Sequence, residues 1–490
     1  MSIRTSALCL TTLISLWTLN QAQSDYPYTI DTLPKTASSG PVRFVKQKVM
    51  NEGNPESCAF GDFNGDDFMD IVSGNHWFEG PGFTVKHYFR LLSTVDLTTP
   101  DDMTVTLDVN GDGFDEVISG GHNFGLYCYM NPANNPNTPW TRVVIDAERP
   151  PDEHVDTTIA AGLPHTMGWH SGGLVDVDGD GKKEELLSTG VEAVEKNNMR
   201  WWKYVNNAWV KHDLGEKCNQ WGSGMGDLNG DGRADVLCPD AWLEAPVNRL
   251  TGKWIKHDHL VDISNIPGDP LPKVKNSKGA TSGHVTQIYT YDVNKDGLAD
   301  MLMTSGHGNG VFWYQQAKTP GGEITFVQRI IDSSWYDCHN LEFQDIDGDG
   351  DPDMVSGKRY GIRGLPETRP NSVFWYELTP GAANPWKRHA LTFNEKIGMG
   401  TKGDVRDFDH DGDMDILVTS MYSDGTNLFI NQTDPVTIAP KRIDHAGPKS
   451  YMNLQVGSVD FLWPNKNGMS RRNAQGRLKL DQKLEAEVKR

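Results

Sequence analysis

Short apolar alternations recur along this chain in pairs. "CAFGDF" at 58–63 precedes "MDIVSG" at 69–74, and "IYTYDV" at 288–293 precedes "ADMLMTSG" at 299–306. Alternation over four to six residues is the period of a strand, and two such runs around a polar, glycine-bearing stretch read as a hairpin. Aromatic segments follow the hairpins, among them "RWWKY" at 200–204, "VFWYQ" at 311–315 and "VFWYEL" at 373–378. After these come "WVKHDL" at 209–214, "WIKHDH" at 254–259 and "WKRHAL" at 386–391. The pattern predicts a repeated unit with two inner and two outer strands. "VRFVKQKV" at 42–49 matches the last type of strand but stands before the first hairpin, so it is expected to complete the final unit and lock a ring.

The stretch between the two inner strands carries chemistry. It reads DFNGDDFMD from Asp62, DVNGDGFDE from Asp108, DVDGDGKKE from Asp176, DLNGDGRAD from Asp227, DVNKDGLAD from Asp292, DIDGDGDPD from Asp345 and DFDHDGDMD from Asp407. These seven copies, 46 to 68 residues apart, make the chain a repeat protein. Position one is always Asp, position three Asn or Asp, position five Asp, and position nine Asp or Glu. Ca²⁺ takes six to eight oxygens at about 2.4 Å, and alternate positions of a tight loop point side chains inward while glycine permits the turn. The expected ligands are Asp62, Asn64, Asp66 and Asp70; Asp108, Asn110, Asp112 and Glu116; Asp176, Asp178, Asp180 and Glu184; and Asp227, Asn229, Asp231 and Asp235. Asp292, Asn294, Asp296 and Asp300, then Asp345, Asp347, Asp349 and Asp353, and finally Asp407, Asp409, Asp411 and Asp415 complete seven sites. A carbonyl at position seven and a bidentate carboxylate at position nine would finish each shell. The loop is like an EF-hand in its first half, but its closing acid comes at nine and strands flank it.

These residues resemble the FG-GAP or VCBS repeat of integrin-α-type propellers over residues 42 to 431. The resemblance implies an all-β fold, a seven-bladed β-propeller with a calcium loop joining the first two strands of each blade. Segments "WFEGPG" at 77–82 and "HNLEFQDIDGDGDPDMV" at 339–355 also look like the propeller part of fungal aldos-2-ulose dehydratase, whose cupin domains have no counterpart here.

The 490 residues carry a formal charge of −20, and 24 of the 66 acidic residues stand at the ligand positions. Seven bound Ca²⁺ would offset 14 of those charges, so the acidity is mostly structural, and it excludes nucleic acid and anionic membranes as partners. Residues 1–24 have Arg4, an apolar stretch from Ala7 to Trp17 and then Ala22-Gln23-Ser24, the order of a secretory signal. An exported propeller over 25–431 and a polar tail over 432–490 are expected, with no later apolar run near the roughly 20 residues that cross a bilayer. Beyond Cys9 the cysteines are Cys58, Cys128, Cys218, Cys238 and Cys338, an odd number whose pairing is not readable. "NQT" at Asn431 is a glycosylation signal in a eukaryotic host.

Hairpin geometry sorts the histidines. With the acidic loop at one end, residues entering the first strand and leaving the second lie at the other. His165, His170, His284 and His339 stand just before a first strand or at its start, and His76, His122 and His307 follow a second strand. His339 and the loop at Asp345 are separated by roughly 20 Å of extended chain. His170, His284 and His339, on the innermost strands, are the candidate ligands of a Zn²⁺ or another divalent metal. His165, Tyr360 and Arg359 are further catalytic candidates on the same rim. Lys358, Arg363 and Lys402 would hold an acidic or polyhydroxylated ligand, and Trp169 and Trp221 would stack on a sugar. Long connections at 131–168 and 245–283 approach this rim.

Two functions fit. One is a carbohydrate-active lyase or dehydratase that eliminates water or an alkoxide β to a carbonyl of a keto-sugar. The other is a non-catalytic exported propeller that binds glycans or protein partners. No nucleophile elbow, P-loop or dinucleotide fingerprint supports hydrolase, kinase or nicotinamide chemistry.

Overall fold

The computed structural model describes residues 42–51, 55–90, 102–121, 125–133, 138–146, 169–190, 199–216, 222–239, 241–258, 274–275, 281–282, 285–306, 309–359, 371–393, 395–421 and 423–432. Each acidic loop turns the chain back on itself, so the alternating runs on either side pair as an antiparallel hairpin, and the aromatic segments add outward. Blade 1 consists of Cys58–Gly61, Asp70–Ser73, His76–Phe78 and Lys86–Tyr88. Blade 2 is Met103–Leu107, Glu116–Gly121, Gly125–Met130 and Thr141–Asp146; blade 3 is Trp169–Val175, Glu185–Gly190, Arg200–Val205 and Ala208–Asp213. Blade 4 is Gly224–Gly226, Asp235–Leu237, Ala241–Glu244 and Ile255–Asp258, and blade 5 is Val285–Tyr291, Asp300–Ser305, Asn309–Lys318 and Ile324–Tyr336. Blade 6 is Cys338–Gln344, Asp353–Lys358, Ser372–Leu378 and Trp386–Phe393.

Blade 7 takes its first three strands, Asp404–Arg406, Asp415–Val418 and Thr426–Asn431, from the end of the described chain and its fourth, Phe44–Met50, from the beginning. The join is antiparallel, with Phe44 opposite Asn431 and Lys48 opposite Asn427. The ring is therefore closed by hydrogen bonds between distant parts of the chain, as the placement of "VRFVKQKV" predicts.

Period-two alternation sends successive side chains to opposite faces of a blade, and each face meets a neighbour. Val72 and Trp77 of blade 1 pack with Val117 and Tyr129 of blade 2, while Ile71 and Phe78 pack with Leu417 and Leu428 of blade 7. Ile118 and Leu126 meet Leu186 and Trp202, Leu237 and Trp242 meet Met301 and Phe312, and Val355 and Trp375 meet Val405 and Ile416. The innermost strands approach closely: a Cβ on Gly224 would overlap the carbonyl oxygen of Ile288 in the next blade. Cys238 is disulfide-bonded, whereas Cys58, Cys128 and Cys338 are buried thiols.

Closure carries a measurable share of stability. Val42, Val49 and Met50 are buried, at about 1.5–3 kcal/mol each, and removing residues 42–50 also bares the third strand of blade 7 as an edge. Such a truncation is expected to lose about 5 kcal/mol or more in denaturant unfolding and to form higher oligomers on size exclusion. An unchanged midpoint would mean the ring holds without this strand.

Candidate functional site

The two ends of each hairpin have different chemistry. At the loop end, the backbone takes left-handed conformations at positions four and six, which explains the glycines there: Gly111 and Gly113 have φ of 74° and 91°, Gly348 and Gly350 of 75° and 95°. Asp67, Lys295 and His410 adopt the same region at φ 71°, 58° and 59° without that freedom. Amide hydrogens turn inward as a result. In blade 6, Asp345 accepts the Gly348, Asp349 and Gly350 N–H groups at 2.8, 3.1 and 2.9 Å, and Asp349 accepts that of Asp351 at 2.9 Å.

The closing carboxylate faces two ways. Asp70 accepts the Phe63 N–H at 2.9 Å on one oxygen and the Gly80 N–H at 2.7 Å on the other. Asp235 joins Leu228 and Ala245 at 3.1 and 2.9 Å, and Asp300 joins Val293 and Gln316 at 3.1 and 2.7 Å. Asp353 joins Ile346 and Leu378 at 3.1 and 2.8 Å, and Asp415 joins Phe408 and Asn431 at 3.1 and 2.8 Å. Each acid thus ties its own loop to the last residues of the third strand or to the chain just past it. In blade 3 this place belongs to Glu185, not Glu184: Glu185 pairs with Val175 and accepts the Val177 N–H at 2.9 Å. The loop there is one residue longer than its sisters, which the nine-residue alignment does not reveal.

These clusters suit a hard cation. The groups Asp345, Asp347, Asp353 and Asp407, Asp409, Asp415 each bring one carboxylate oxygen within 4.8 Å of the others. Both oxygens of the buried Asp409 lack a donor at hydrogen-bonding geometry. Burial, with repulsion from neighbouring loop acids, pushes Glu116 and Asp353 up to about 8 and Asp415 up to about 9, while Asp235 and Asp300 rise to about 6. Oxygen-only donors at alternate positions, whose negative charge needs a cation beside it, match the preferences of Ca²⁺.

At the far rim the first strands carry buried charge. His339 lies at one end of Cys338–Gln344 and Asp345 starts the loop at the other, so they belong to separate sites. His339 is fully buried, with Nδ1 3.1 Å from Asp337 Oδ1. Asp337 has φ 70°, a left-handed conformation that few non-glycine residues adopt. The strand bulges between Cys338 and Asn340, and His339 is the residue it displaces; blade 3 bulges likewise between Trp169 and Ser171, at His170. The bulges put both histidines at equivalent places in their blades.

Arg359 follows the second strand of blade 6 and reaches across the mouth. Its Nε donates to Glu56 Oε2 at 2.7 Å, Nη2 meets the same oxygen, and Nη2 lies 3.8 Å from Asp102 Oδ1. Glu56 precedes blade 1 and Asp102 precedes blade 2, so one guanidinium links three blades. Thr401 donates to the carbonyls of Glu56 and Asp102, and Gln287 accepts the Leu341 N–H at 2.8 Å. Deeper in, Glu342 is fully buried and pushed up to about 8 by burial and by Asp404, against the pull of Lys402, Asn340 and Arg406. The Tyr289 hydroxyl is held well above its ordinary range by burial and by the Glu342 and Asp404 charges.

His165, His284, Tyr360, Arg363, His122, His307 and Trp221 lie outside the described residues, as do the segments 1–24 and 433–490 and most of the connections at 131–168 and 245–283. His170 and Trp169 stand in the first strand of blade 3. Lys358 and Lys402 are buried, not displayed on the surface. His76 packs on Tyr88 with ring centroids 4.2 Å apart, and burial lowers it to about 3, so it is a neutral packing group. Sequence reasoning missed Glu56, Asp102, Asp337 and Glu342. All four flank or occupy a first strand, and an alignment anchored on those strands instead of the loops would have shown them.

Residues 292–356 match the FG-GAP-like repeat family. Among solved structures, a lectin from Agrocybe aegerita that recognises non-reducing terminal N-acetylglucosamine is 14% identical, with 78% of this chain and 86% of that chain covered and a TM-score of 0.40. A rhamnogalacturonan lyase is 12% identical over 81% of this chain and 74% of its own, at 0.39. An auxiliary nutrient binding protein from Bacteroides thetaiotaomicron is 9% identical over 75% and 83%, at 0.36. Likeness of this degree says nothing of what this chain binds. No curated protein matches the sequence.

The raised loop acids set a pH dependence whose sign metal should reverse. In chelator the folded chain holds protons that unfolded carboxyls, near 3.8 and 4.5, have already released, so stability should fall as pH rises from about 4 to about 9. In excess calcium the ionised loops bind the ion, and stability should rise over the same range. Thermal unfolding at both ends of that range, with EDTA and with calcium, reads this directly; coincident curves at the alkaline end would mean the loops take no calcium.

Proposed function

We propose that this protein is an exported carbohydrate-active carbon–oxygen lyase that works at the far rim of the propeller, with the acidic loops held by calcium at the other end. The observation that carries this reading is Glu342, a fully buried acid that keeps its proton to about pH 8 beside Lys402, Arg406 and Tyr289. Titratable groups displaced towards neutrality are where acid–base chemistry concentrates.

Elimination β to a carbonyl needs a base for the α-proton, positive charge or donors for the enolate oxygen, and an acid for the departing oxygen. His339, with Nδ1 3.1 Å from Asp337 Oδ1, supplies the imidazole as the base. Glu342 supplies the proton for the leaving water or alkoxide. Lys402 and Arg406 supply positive charge near Glu342, matching the acidic or keto function of a uronide or keto-sugar. Arg359 positions the mouth through Glu56 and Asp102.

A second reading rests on Arg359 itself. Its guanidinium is committed to Glu56, which favours a rigid platform that binds a glycan without changing it.

The test is turnover of keto-sugars and uronides, followed by the absorbance of the unsaturated product, in wild type, His339→Asn and Glu342→Gln. Each variant is expected to lose about 10²- to 10⁴-fold in kcat with unfolding temperature little changed. Full activity in both variants would sink this mechanism. Glycan binding with no turnover of any substrate would leave the platform reading in its place.

A further inference from the structure

Blade 3 differs from its six sisters at the place where each loop would hold a cation. Continuing the pairing of Leu186 with Trp202 by one residue brings Lys203, on the third strand, level with the closing Glu185. The equivalent residues elsewhere are Glu79, Met130, Glu244, Gln315, Glu377 and Ile430. Only blade 3 has a base there.

Lys203 Nζ enters the loop. It lies 2.7 Å from Asp178 Oδ2, 3.1 Å from Asp180 Oδ2, 3.0 Å from Glu184 Oε1 and 2.8 Å from Glu185 Oε1. Asp176, Asp178 and Glu185 bring oxygens within 4.8 Å of one another, as a metal site does, but here an ammonium bridges Asp178 and Glu185. Among the described residues no other loop has an ammonium or guanidinium touching more than one carboxylate. A Ca²⁺ at about 2.4 Å from the same oxygens would sit against this positive charge, so the two exclude each other.

The outer strands support the contrast. In blades 1, 4 and 6 a histidine stacks on a tryptophan and bonds the glutamate at the equivalent place: His87 to Glu79, His257 to Glu244 and His389 to Glu377, each at 2.7 Å. His212 stacks on Trp201 in the same way, with centroids 3.9 Å apart, but its neighbour is Lys203, and that charge helps burial to lower its basicity.

We propose that Lys203 is the resident cation of blade 3, so that this loop closes without metal and the chain takes calcium in at most six blades. The inference rests on the reading that the other loops hold calcium. It gives the arrangement a purpose: the strand bearing His170 runs directly into this loop, so its anchor is independent of calcium supply.

Calcium per chain, measured by elemental analysis after desalting from calcium buffer, tests it in wild type, Lys203→Glu and Lys203→Gln. Those variants install the residues of blades 1 and 5. Lys203→Glu is expected to gain one calcium per chain, and Lys203→Gln one of weaker affinity. Hydrogen exchange on wild type is the second arm, since it needs no variant to fold. Amides 177–181 should keep their protection in EDTA while 228–232 and 346–350 lose theirs. Unchanged calcium counts in both folded variants, or equal loss of protection in all three loops, would overturn the proposal. A wild type with no calcium at all would fail the general calcium reading, while a gain of one in Lys203→Glu would still uphold this one.

Discussion

Seven buried carboxylates, one at the start of the second strand in each blade, are the constraint on which the rest of the molecule depends. A propeller blade must hold its strands in register at an end where the chain turns sharply and few apolar contacts are available. An acid with one oxygen on an N–H of its own loop and the other on an N–H in or just past the third strand does this with a single side chain, as Asp70, Asp235, Asp300, Asp353 and Asp415 do. The same geometry buries negative charge beside negative charge. That conflict is why the loop acids rise so far, and why each loop calls for a positive partner from outside the backbone.

Fixing one end frees the other. With register set at the loops and the faces filled by interlocking aromatic and branched side chains, the starts of the first strands can depart from regular pairing. They do so at His170 and His339. A bulge costs ladder hydrogen bonds, which a strand can lose only where something else holds it. The irregular pairing of the first strands therefore sits at the end that the acids do not staple.

The fold was legible because its signals are local and repeated. Alternation of period two, a nine-residue acidic turn and an aromatic third strand recur in nearly every blade, and the orphan strand at 42–49 has one place to go. The acidic turn itself was legible for the same reason, though in blade 3 an extra residue puts Glu185 instead of Glu184 at the start of the second strand. The rim was much less so. Arg359 reads from sequence as an exposed ligand contact, yet it is buried on Glu56, 303 positions away. Nothing local marks a pairing made by residues that closure brings together. Glu342 hides inside a strand segment, where nothing local tells a fully buried acid from an exposed one.

The Arg359 cluster ties three blades together at the rim. An ion pair with both partners nearly excluded from water, here two guanidinium nitrogens on one carboxylate oxygen, is weak evidence of stability, since desolvation takes back most of the attraction, but breaking one side leaves a bare charge. Such a pair tolerates only the geometry it was built for. Arg359 comes from blade 6, Glu56 and Asp102 from blades 1 and 2, and the blade between them is completed by the strand at Phe44–Met50. Opening the ring at blade 7 would therefore separate the guanidinium from its acids at the mouth while leaving every hairpin intact. Closure is thus felt at the rim as electrostatics, and the position of His339, three residues beyond Tyr336 and bonded through Asp337 to the backbone of Arg359, follows from it.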